Sequence, residues 1–371
     1  MLEEDDVIVG EVIGPLLLRP RLDPKPWGGR RLEQFGLALP PGERIGEAVV
    51  TAMDATIAAG QFAGESLAQR VLPNPAAYVG SRGLAATGDR PIFPLLVKLI
   101  DAEENLSIQV HPNDAEAARL GDRLGKTECW YILDAAPGAA IYLGLQPGVS
   151  VDEFAAACRA ARGDAAALLR RIPVSAGMTI LTPAGTVHAI GAGVLLYELQ
   201  QPSDITYRLD DWGRVDANGR PRQLHLAEGL AVLKPDYRPD PIAPIDLATG
   251  AGRRQFLVAC RYFALERIAL AGGEIVPVDA LGSPQVLTCL RGRAEVSVDG
   301  LSGVLNAGES VVIPARAADN TLAATTPAVV LRAWVPDLHQ DIAQPARASG
   351  ASEEAIAALS GPLPDLRQAM A

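Results

Sequence analysis

"ECWYILDAAPGAAIYLGL", residues 128–145, and "VSAGMTILTPAGTVHAI", residues 174–190, decide the fold. Together they read as a strand, a turn and a strand, followed by Ala-Gly, five residues and Pro-Ala. The same layout returns in "QVLTCLRGRAEVSVDG", residues 285–300, and "LNAGESVVIPARAADNT", residues 305–321. An internal repeat of this kind predicts two copies of one antiparallel β-barrel unit.

The two copies differ at the end of the repeat. The first carries His188 shortly after its Pro-Ala, whereas the second has Asn320 in the same region. An imidazole nitrogen is a common metal ligand. We therefore expect that the first copy can hold a metal and that the second is bare.

The composition fits short strands joined by turns. Of 371 residues, 49% are hydrophobic and only 5% aromatic, and the chain contains 36 Gly and 29 Pro. The length predicts two domains or one large one. The net charge of −11 argues against a nucleic-acid partner or an acidic membrane, because both repel an acidic surface. An anionic substrate would need a local cluster of Lys and Arg.

The cysteines and the N-terminus predict a cytoplasmic protein. The four cysteines are scattered without a C-x-x-C pair, which is typical of reduced thiols in an intracellular chain. The first ten residues, "MLEEDDVIVG", lack the basic segment of a signal peptide. No apolar run approaches the ~20 residues that a membrane-spanning helix requires.

We predict two mainly β, barrel-like domains. The first covers residues 1–235 and holds the candidate metal ligands; the second covers residues 236–371 and lacks them. A proline-rich stretch near 234–252 reads as the linker. The predicted helices are a short one in 113–123 capped by Asn113 or Asp114, an Ala-rich insertion at about 151–171 split at Gly163, and a tail helix in 351–360 capped by Ser352.

Polar residues two apart mark three strand faces, since residues i and i+2 of a strand point to the same side. The pairs are Gln109 with His111 and Lys126 with Glu128. A third set contains Asp204, Thr206 and Arg208, and His188 stands alone. Each fragment by itself is compatible with a structural histidine, a salt bridge or a solvated face.

Two histidines, a glutamate and a glutamine amide make a mixed nitrogen and oxygen ligand set. Such a set suits Zn²⁺ and, less selectively, Mn²⁺, Co²⁺ or Fe²⁺. The absence of cysteine ligands and the presence of a neutral amide favour an open site, in which water or substrate completes the coordination, over a closed structural zinc site.

Longer strings resemble the type I mannose-6-phosphate isomerases (phosphomannose isomerases) of the cupin superfamily. They lie in the family's order between roughly residues 20 and 215, and the second β-rich block resembles the family's C-terminal cupin domain. The strings are "PWGGRRLEQFG" (26–36), "PLLVKLID" (94–101), "SIQVHPND" (107–114), "GKTECWYIL" (125–133) and "PAGTVHAIGAGVLLYELQQPSDITYRLDDWGR" (183–214).

The resemblance implies two cupin-type jelly-roll domains and one zinc ion per chain. It implies zinc ligands at Gln109, His111, Glu128 and His188, and active-site roles for Lys98, Lys126, Asp204 and Arg208. One departure stands at 46–54, "GEAVVTAMD", where the family commonly has Gly-Glu-Ser-Trp-Glu. We expect this change to alter the packing of the pocket or its substrate preference.

The implied reaction interconverts mannose 6-phosphate and fructose 6-phosphate through a cis-enediol. It requires a proton carrier with a pKa near neutrality and stabilisation of the charge on the carbonyl oxygen. Lys126 and Asp204 both qualify as the proton carrier, and the sequence does not rank them. Arg208 presents a planar set of donors that suits a phosphate or an enediolate, and Lys98 adds positive charge.

Two other functions fit part of this pattern. A non-catalytic metallo-cupin that binds sugar phosphates would keep the ligands but would not need the set of Lys126, Asp204 and Arg208. An Fe²⁺ dioxygenase would use two histidines and one carboxylate, which His111, Glu128 and His188 can imitate. We predict a sugar-phosphate isomerase with a small-molecule substrate, and neither a nucleic-acid nor a membrane partner.

Overall fold

The protein is mainly β, as predicted, and its strands form four antiparallel sheets. The computed structural model describes residues 13–121, 123–160, 164–215 and 218–371. No sheet of these residues closes on itself into a complete barrel.

The strands of the first half are β1 (Leu16–Arg19), β2 (Arg21–Gly29), β3 (Ile45–Val49), β4 (Thr56–Ala59), β5 (Leu96–Ala102), β6 (Ile108–Val110), β7 (Glu128–Ala135), β8 (Ala140–Leu145), β9 (Leu169–Pro173), β10 (Thr179–Thr182), β11 (His188–Ile190), β12 (Val194–Gln200) and β13 (Tyr207–Asp210). Those of the second half are β14 (Ile245–Leu247), β15 (Arg253–Ala259), β16 (Ala264–Leu270), β17 (Ile275–Pro277), β18 (Gln285–Arg291), β19 (Arg293–Val298), β20 (Leu301–Asn306), β21 (Ser310–Ile313), β22 (Asn320–Ala324) and β23 (Ala328–Trp334).

The helices are short and lie outside the sheets. They are α1 (Leu67–Val71), α2 (Pro75–Tyr78), α3 (Gly80–Ala86), α4 (Asp114–Ala118), α5 (Val151–Ala160), α6 (Leu226–Val232), α7 (Gln344–Ala348), α8 (Glu353–Ala358) and α9 (Asp365–Met370). Two 3-10 segments, Arg31–Phe35 and Asp164–Leu168, and a π-helical turn, Leu338–Ala343, complete the set. No helix of the described ranges is long and apolar enough to cross a membrane.

Two sheets of the first half enclose the candidate site. One has the strand order β10-β7-β12-β5-β3-β2, and the other has the order β13-β6-β11-β8-β9. Trp130 and Ile132, two apart on β7, pack in one apolar cluster with Ile141 and Leu143 of β8. The alternating side chains of each sheet therefore fill the space between the sheets.

The predicted repeat is confirmed by the strand pairing. β7 pairs with β10 and β8 with β11, and in the second half β18 pairs with β21 and β19 with β22. Asn320 begins β22, as His188 begins β11. Both strands thus begin with a polar side chain, although His188 lies opposite Leu143, the fourth residue of β8, and Asn320 lies opposite Val298, the last residue of β19.

Two strands from the first half pair in a sheet of the second half. That sheet has the order β14-β15-β16-β23-β18-β21-β1-β4, and Leu17 of β1 lies opposite Val311 of β21. Leu16 and Leu18 share one apolar cluster with Val312. The domain ranges 1–235 and 236–371 stay a prediction, but the described residues of the two ranges share a sheet and a core.

The two predicted helix caps are confirmed, but the predicted helical insertion extends too far along the chain. Asn113 caps α4, with its side chain accepting from the Glu116 amide at 3.0 Å, and Ser352 caps α8. Helix α5 ends at Ala160, and residues 169–171, predicted helical, belong to β9. Pairing with β8 overrides their helix propensity there. Gly163, the predicted split, lies outside the described residues.

The predicted linker contains regular structure, whereas the prediction of free, buried cysteines is confirmed. The stretch predicted as a linker, 234–252, contains strand β14, which pairs with β15. All four cysteines are free and buried, as expected.

Candidate active site

Strand pairing brings three of the predicted residues into one row. Strand β6 lies between β11 and β13, so that Gln109 is directly opposite His188 on one side and Arg208 on the other. Residues directly opposite in an antiparallel ladder point to the same face. His111 follows two residues after Gln109, just beyond the end of β6.

Glu128 faces this row from the other sheet. It begins β7 and is fully buried. Its Oε1 lies 3.2 Å from His188 Nε2, and its Oε2 lies 3.6 Å from His111 Nε2. One ligand atom from each of these three residues lies within 4.8 Å of the others. The Gln109 amide nitrogen is 3.2 Å from His188 Nε2, so the side chain of the fourth predicted ligand reaches the cluster, although the atom that could ligate a metal is its amide oxygen.

Backbone carbonyls orient both imidazoles toward the carboxylate. His111 Nδ1 donates to the Ile205 carbonyl at 2.8 Å, and His188 Nδ1 donates to the Thr186 carbonyl at 2.9 Å. In the neutral tautomers, the Nε2 lone pairs then face Glu128. Burial lowers the pKa of His111 well below its usual value and that of His188 to about 4, so both rings are neutral.

The cluster fits a divalent cation. Metal binding requires deprotonated ligands, and two neutral imidazoles with their lone pairs turned to one carboxylate meet that condition. The buried Glu128 Oε1 has no hydrogen-bond partner among the described residues, although burying such an oxygen without a partner is costly. Burial also raises the pKa of Glu128. A cation between these atoms would satisfy the oxygen and stabilise the carboxylate.

Lys126 and Lys98 each pair with one buried carboxylate. Lys126, with a side chain only 5% exposed, donates to Glu128 and lies 3.1 Å from His111 Nε2. Lys98 Nζ lies 3.3 Å from Glu198 Oε1. Burial alone would lower the pKa of Lys98, but the carboxylates of Glu198, Glu47 and Glu128 together outweigh it and raise that pKa.

Arg208 is held by the main chain and Asp204 is not held near the cluster. His225 donates its amide to the Arg208 carbonyl at 2.7 Å and accepts the Arg208 amide at its Nδ1. Burial and the neighbouring Arg222 lower the pKa of the Arg208 guanidinium. The Asp204 side chain is 93% exposed and lies 3.5 Å from Arg123. The structure therefore brings Arg208 to the site and leaves Asp204 at its rim.

A cavity of about 590 Å³ borders the cluster at Gln109 and Lys126, whereas His111, Glu128 and His188 are not among its lining residues. Its walls include Val49 and Ala52 from the divergent segment 46–54, so that this segment does border the pocket. The predicted site residues among its lining are Lys98, Gln109, Lys126, Asp204 and Arg208.

Several charged residues of the cavity, among them Glu198 and Arg222, were missed from the sequence. Glu198 lies directly opposite both Lys98 and Trp130 in the ladder, and it accepts from Trp130 Nε1 at 3.1 Å. A lone carboxylate within the apolar run "VLLYELQ" was a usable signal. Arg222 also lines the cavity. It follows a stretch without periodicity, and no pattern marked it.

The chain is similar to characterised sugar-phosphate isomerases. A family profile described as phosphomannose isomerase type I, catalytic domain, matches residues 16–133. The chain is 33% identical over 301 residues to the mannose-6-phosphate isomerase of Streptococcus mutans, which covers 81% of this chain and 92% of that one. It is 36% identical over 269 residues to mannose-6-phosphate isomerase ManA of Bacillus subtilis, covering 70% and 80% of the two chains.

Solved structures that are similar to this chain carry the same kind of name as these sequence relatives. The crystal structure of mannose 6-phosphate isomerase from Bacillus subtilis superposes with a TM-score of 0.76 at 29% identity, covering 86% of this chain and 99% of that one. A putative mannosephosphate isomerase from Archaeoglobus fulgidus gives a TM-score of 0.67 at 19% identity, with 87% and 98% covered, and shares the fold.

Proposed function

This chain belongs to the mannose-6-phosphate isomerase family, and we propose that it is a zinc-dependent aldose–ketose isomerase. Its substrates are mannose 6-phosphate and fructose 6-phosphate, interconverted through a cis-enediol. The single observation that carries the zinc dependence is the buried cluster of His111, Glu128 and His188 beside a cavity lined by cationic side chains.

Gln109, His111, Glu128 and His188 would hold the metal. Nitrogen and carboxylate ligands without cysteine suit Zn²⁺ in an open site. When bound there, the metal supplies Lewis-acid polarisation of the sugar oxygens at C1 and C2. We place Gln109 as the weakest ligand, because a neutral amide binds zinc less tightly than an imidazole or a carboxylate.

We assign the proton transfer to Lys126 rather than to Asp204. The Lys126 amine is buried next to the cluster, whereas the Asp204 carboxylate is exposed and paired with Arg123. In the proposed step Lys126, acting as the neutral amine, takes the proton from C2 of the open-chain sugar and returns it to C1, while the proton of the C2 hydroxyl passes to the C1 oxygen. Lys126 therefore ends in its starting state. One base acting on one face of the sugar requires a cis-enediol.

Arg208 and Lys98 act on the charge of the substrate. Arg208 Nη1 donates to the Gln223 carbonyl at 2.9 Å, and its buried Nε has no partner among the described residues. That N–H group is available to an oxygen anion of the substrate. Lys98 stays charged because of Glu198 and contributes positive potential at the cavity wall.

The test is metal analysis and turnover on one sample. Fructose 6-phosphate formed from mannose 6-phosphate is coupled to NADPH production, and zinc is measured by mass spectrometry. We expect about one zinc per chain, and turnover that falls with chelation and returns with zinc. A fully metal-loaded protein that binds mannose 6-phosphate without turnover would support the non-catalytic metallo-cupin instead, which the relatives do not favour.

Two further measurements complete this test. Stoichiometric iron with substrate-dependent oxygen uptake would indicate a dioxygenase. We also propose that the reaction takes place in the cytoplasm, which the free buried cysteines support. Fractionation of the source cells by activity would check this location.

A further inference from the structure

We propose that Arg222 binds the phosphate of the substrate together with Arg208, and that it gives the cavity its preference for a phosphorylated sugar. The inference rests on the proposed function, since it concerns the same cavity. It follows from the distribution of charge along the cavity walls and from the hydrogen-bonding groups that remain available there.

One end of the cavity carries no excess of positive charge. Arg21 pairs with Asp23 at 2.9 Å and with Asp54 at 2.5 Å. Lys25 lies 3.2 Å from Glu47 and 3.7 Å from Asp23. Two cations therefore face three carboxylates at this end, and a dianionic phosphate would be repelled.

The middle of the cavity is balanced. Lys98 pairs with Glu198, and Lys126 pairs with Glu128. Each cation there has its own buried carboxylate, so neither ion pair carries a net charge with which to hold a dianionic phosphate, and the positive potential of Lys98 acts only locally. Lys126 also lies beside the metal ligands, where the reacting carbons of the sugar have to be placed.

The Arg208 end differs, because three guanidinium groups gather around one carboxylate. Asp211 accepts from Arg222 Nε at 2.7 Å and from Arg222 Nη2 at 2.5 Å. It also accepts from Arg214 Nη2 at 2.6 Å. The neighbouring Asp210 turns its carboxylate to the Trp212 amide at 2.7 Å. Three arginines thus stand against the carboxylates of Asp210 and Asp211, which leaves this end of the cavity with a surplus of positive charge that attracts a phosphate dianion.

Arg222 and Arg208 have N–H groups left for a ligand, and Arg214 does not line the cavity. Arg222 Nη1 makes no hydrogen bond to any described residue, nor does Arg208 Nη2, and Arg208 Nε is buried without a partner. Arg214 Nη1 donates to the Asn105 carbonyl at 2.6 Å. Arg214 therefore fixes Asp211, Asp211 positions Arg222, and Arg222 presents its remaining donors to the ligand. Paired guanidinium donors match phosphate oxygens in geometry as well as in charge.

The test compares Arg222→Gln with Arg21→Gln, an arginine of the opposite end of the same cavity. For Arg222→Gln we expect KM for mannose 6-phosphate and the inhibition constant of inorganic phosphate each to rise about 10- to 100-fold, the loss expected for a hydrogen bond to a charged group. The kcat should stay within about threefold. Arg21→Gln should leave KM and the inhibition constant unchanged, and Arg222→Lys should recover part of the loss.

A direct binding measurement separates this inference from the proposed function. Isothermal titration of the zinc-loaded protein with inorganic phosphate should show binding that Arg222→Gln weakens about 10-fold or more and Arg21→Gln does not. A wild-type protein without turnover that still shows this difference would refute the isomerase but not the phosphate site. An active wild type whose KM and phosphate affinity are unchanged in Arg222→Gln, or equally reduced in Arg21→Gln, would overturn the assignment.

Discussion

Replacing Glu266 with Gln tests what the second copy of the β unit does with its polar core. Glu266 on β16 lies directly opposite Arg332 on β23. The equivalent ladder position in the first half joins Lys98 and Glu198 at the active cavity. The second copy therefore keeps a buried ion pair at this position, with the signs exchanged.

The cost of this change follows from the burial of the partners. The Glu266 side chain is fully buried and accepts two hydrogen bonds from Arg254, at 2.6 and 2.9 Å, and one from Arg332 at 3.3 Å. The Arg332 side chain is only 2% exposed. Removing one partner of a buried pair leaves an uncompensated charge, which costs about 3–5 kcal/mol. Gln285 still accepts from Arg332 at 2.7 Å, so we expect a loss near the lower limit, about 3 kcal/mol.

Urea unfolding followed by tryptophan fluorescence measures this loss, because linear extrapolation of the unfolding free energy to zero urea gives the stability in water. The matched control is Asp246→Asn on β14, two strands away in the same sheet, where the ion pair with Arg253 is exposed on both sides. We expect no measurable change in the control. Turnover of folded Glu266→Gln should equal that of the wild type. A loss below about 1 kcal/mol would refute the reasoning, because it would mean that water or relaxation compensates the two arginines.

Three further predictions concern the site. His111→Ala and His188→Ala should each lose zinc and turnover together, and stoichiometric zinc retained in both, measured by mass spectrometry, would refute the ligand assignment. Lys126→Met and Arg208→Ala should keep zinc but lose turnover by about 10²-fold or more, and a wild-type kcat would remove that residue from the mechanism. Burial alone would raise the pKa of Asp211, but its hydrogen bonds from two arginines hold it below its ordinary 3.8. Its stabilisation is therefore present above pH 3.8 and lost as the pH falls through the lowered pKa. The loss of unfolding free energy in Asp211→Asn, measured in urea, should become smaller below about pH 4. A loss that does not change with pH would contradict the role of Asp211 as an ionised partner of the two arginines.

Much of the candidate metal cluster followed from local pattern. Gln109 and His111 share a strand face because side chains alternate along a strand, and Lys126 and Glu128 share one for the same reason. The helix caps at Asn113 and Ser352 depend on a side chain and an amide three residues away, so the sequence alone predicted them.

Other elements depend on partners distant in the chain. The segment 169–171 is a strand only because β8 offers it an edge, which its own propensity does not reveal. Glu198 belongs to the site because the ladder places it opposite Lys98 and Trp130. Arg222 belongs to it because Asp211 holds its guanidinium at the cavity wall.

The sequence by itself determined the mainly β class, the internal repeat and the ligand types, since each is encoded by residue spacing within short segments. Only the tertiary structure decided which side chains meet. The register of β6 between β11 and β13 sets Gln109 between His188 and Arg208, and this register depends on long-range pairing and core packing. The same pairing leaves Asp204 exposed at the rim while it buries Lys126 beside Glu128, because burial is a property of the assembled sheets and not of any single strand.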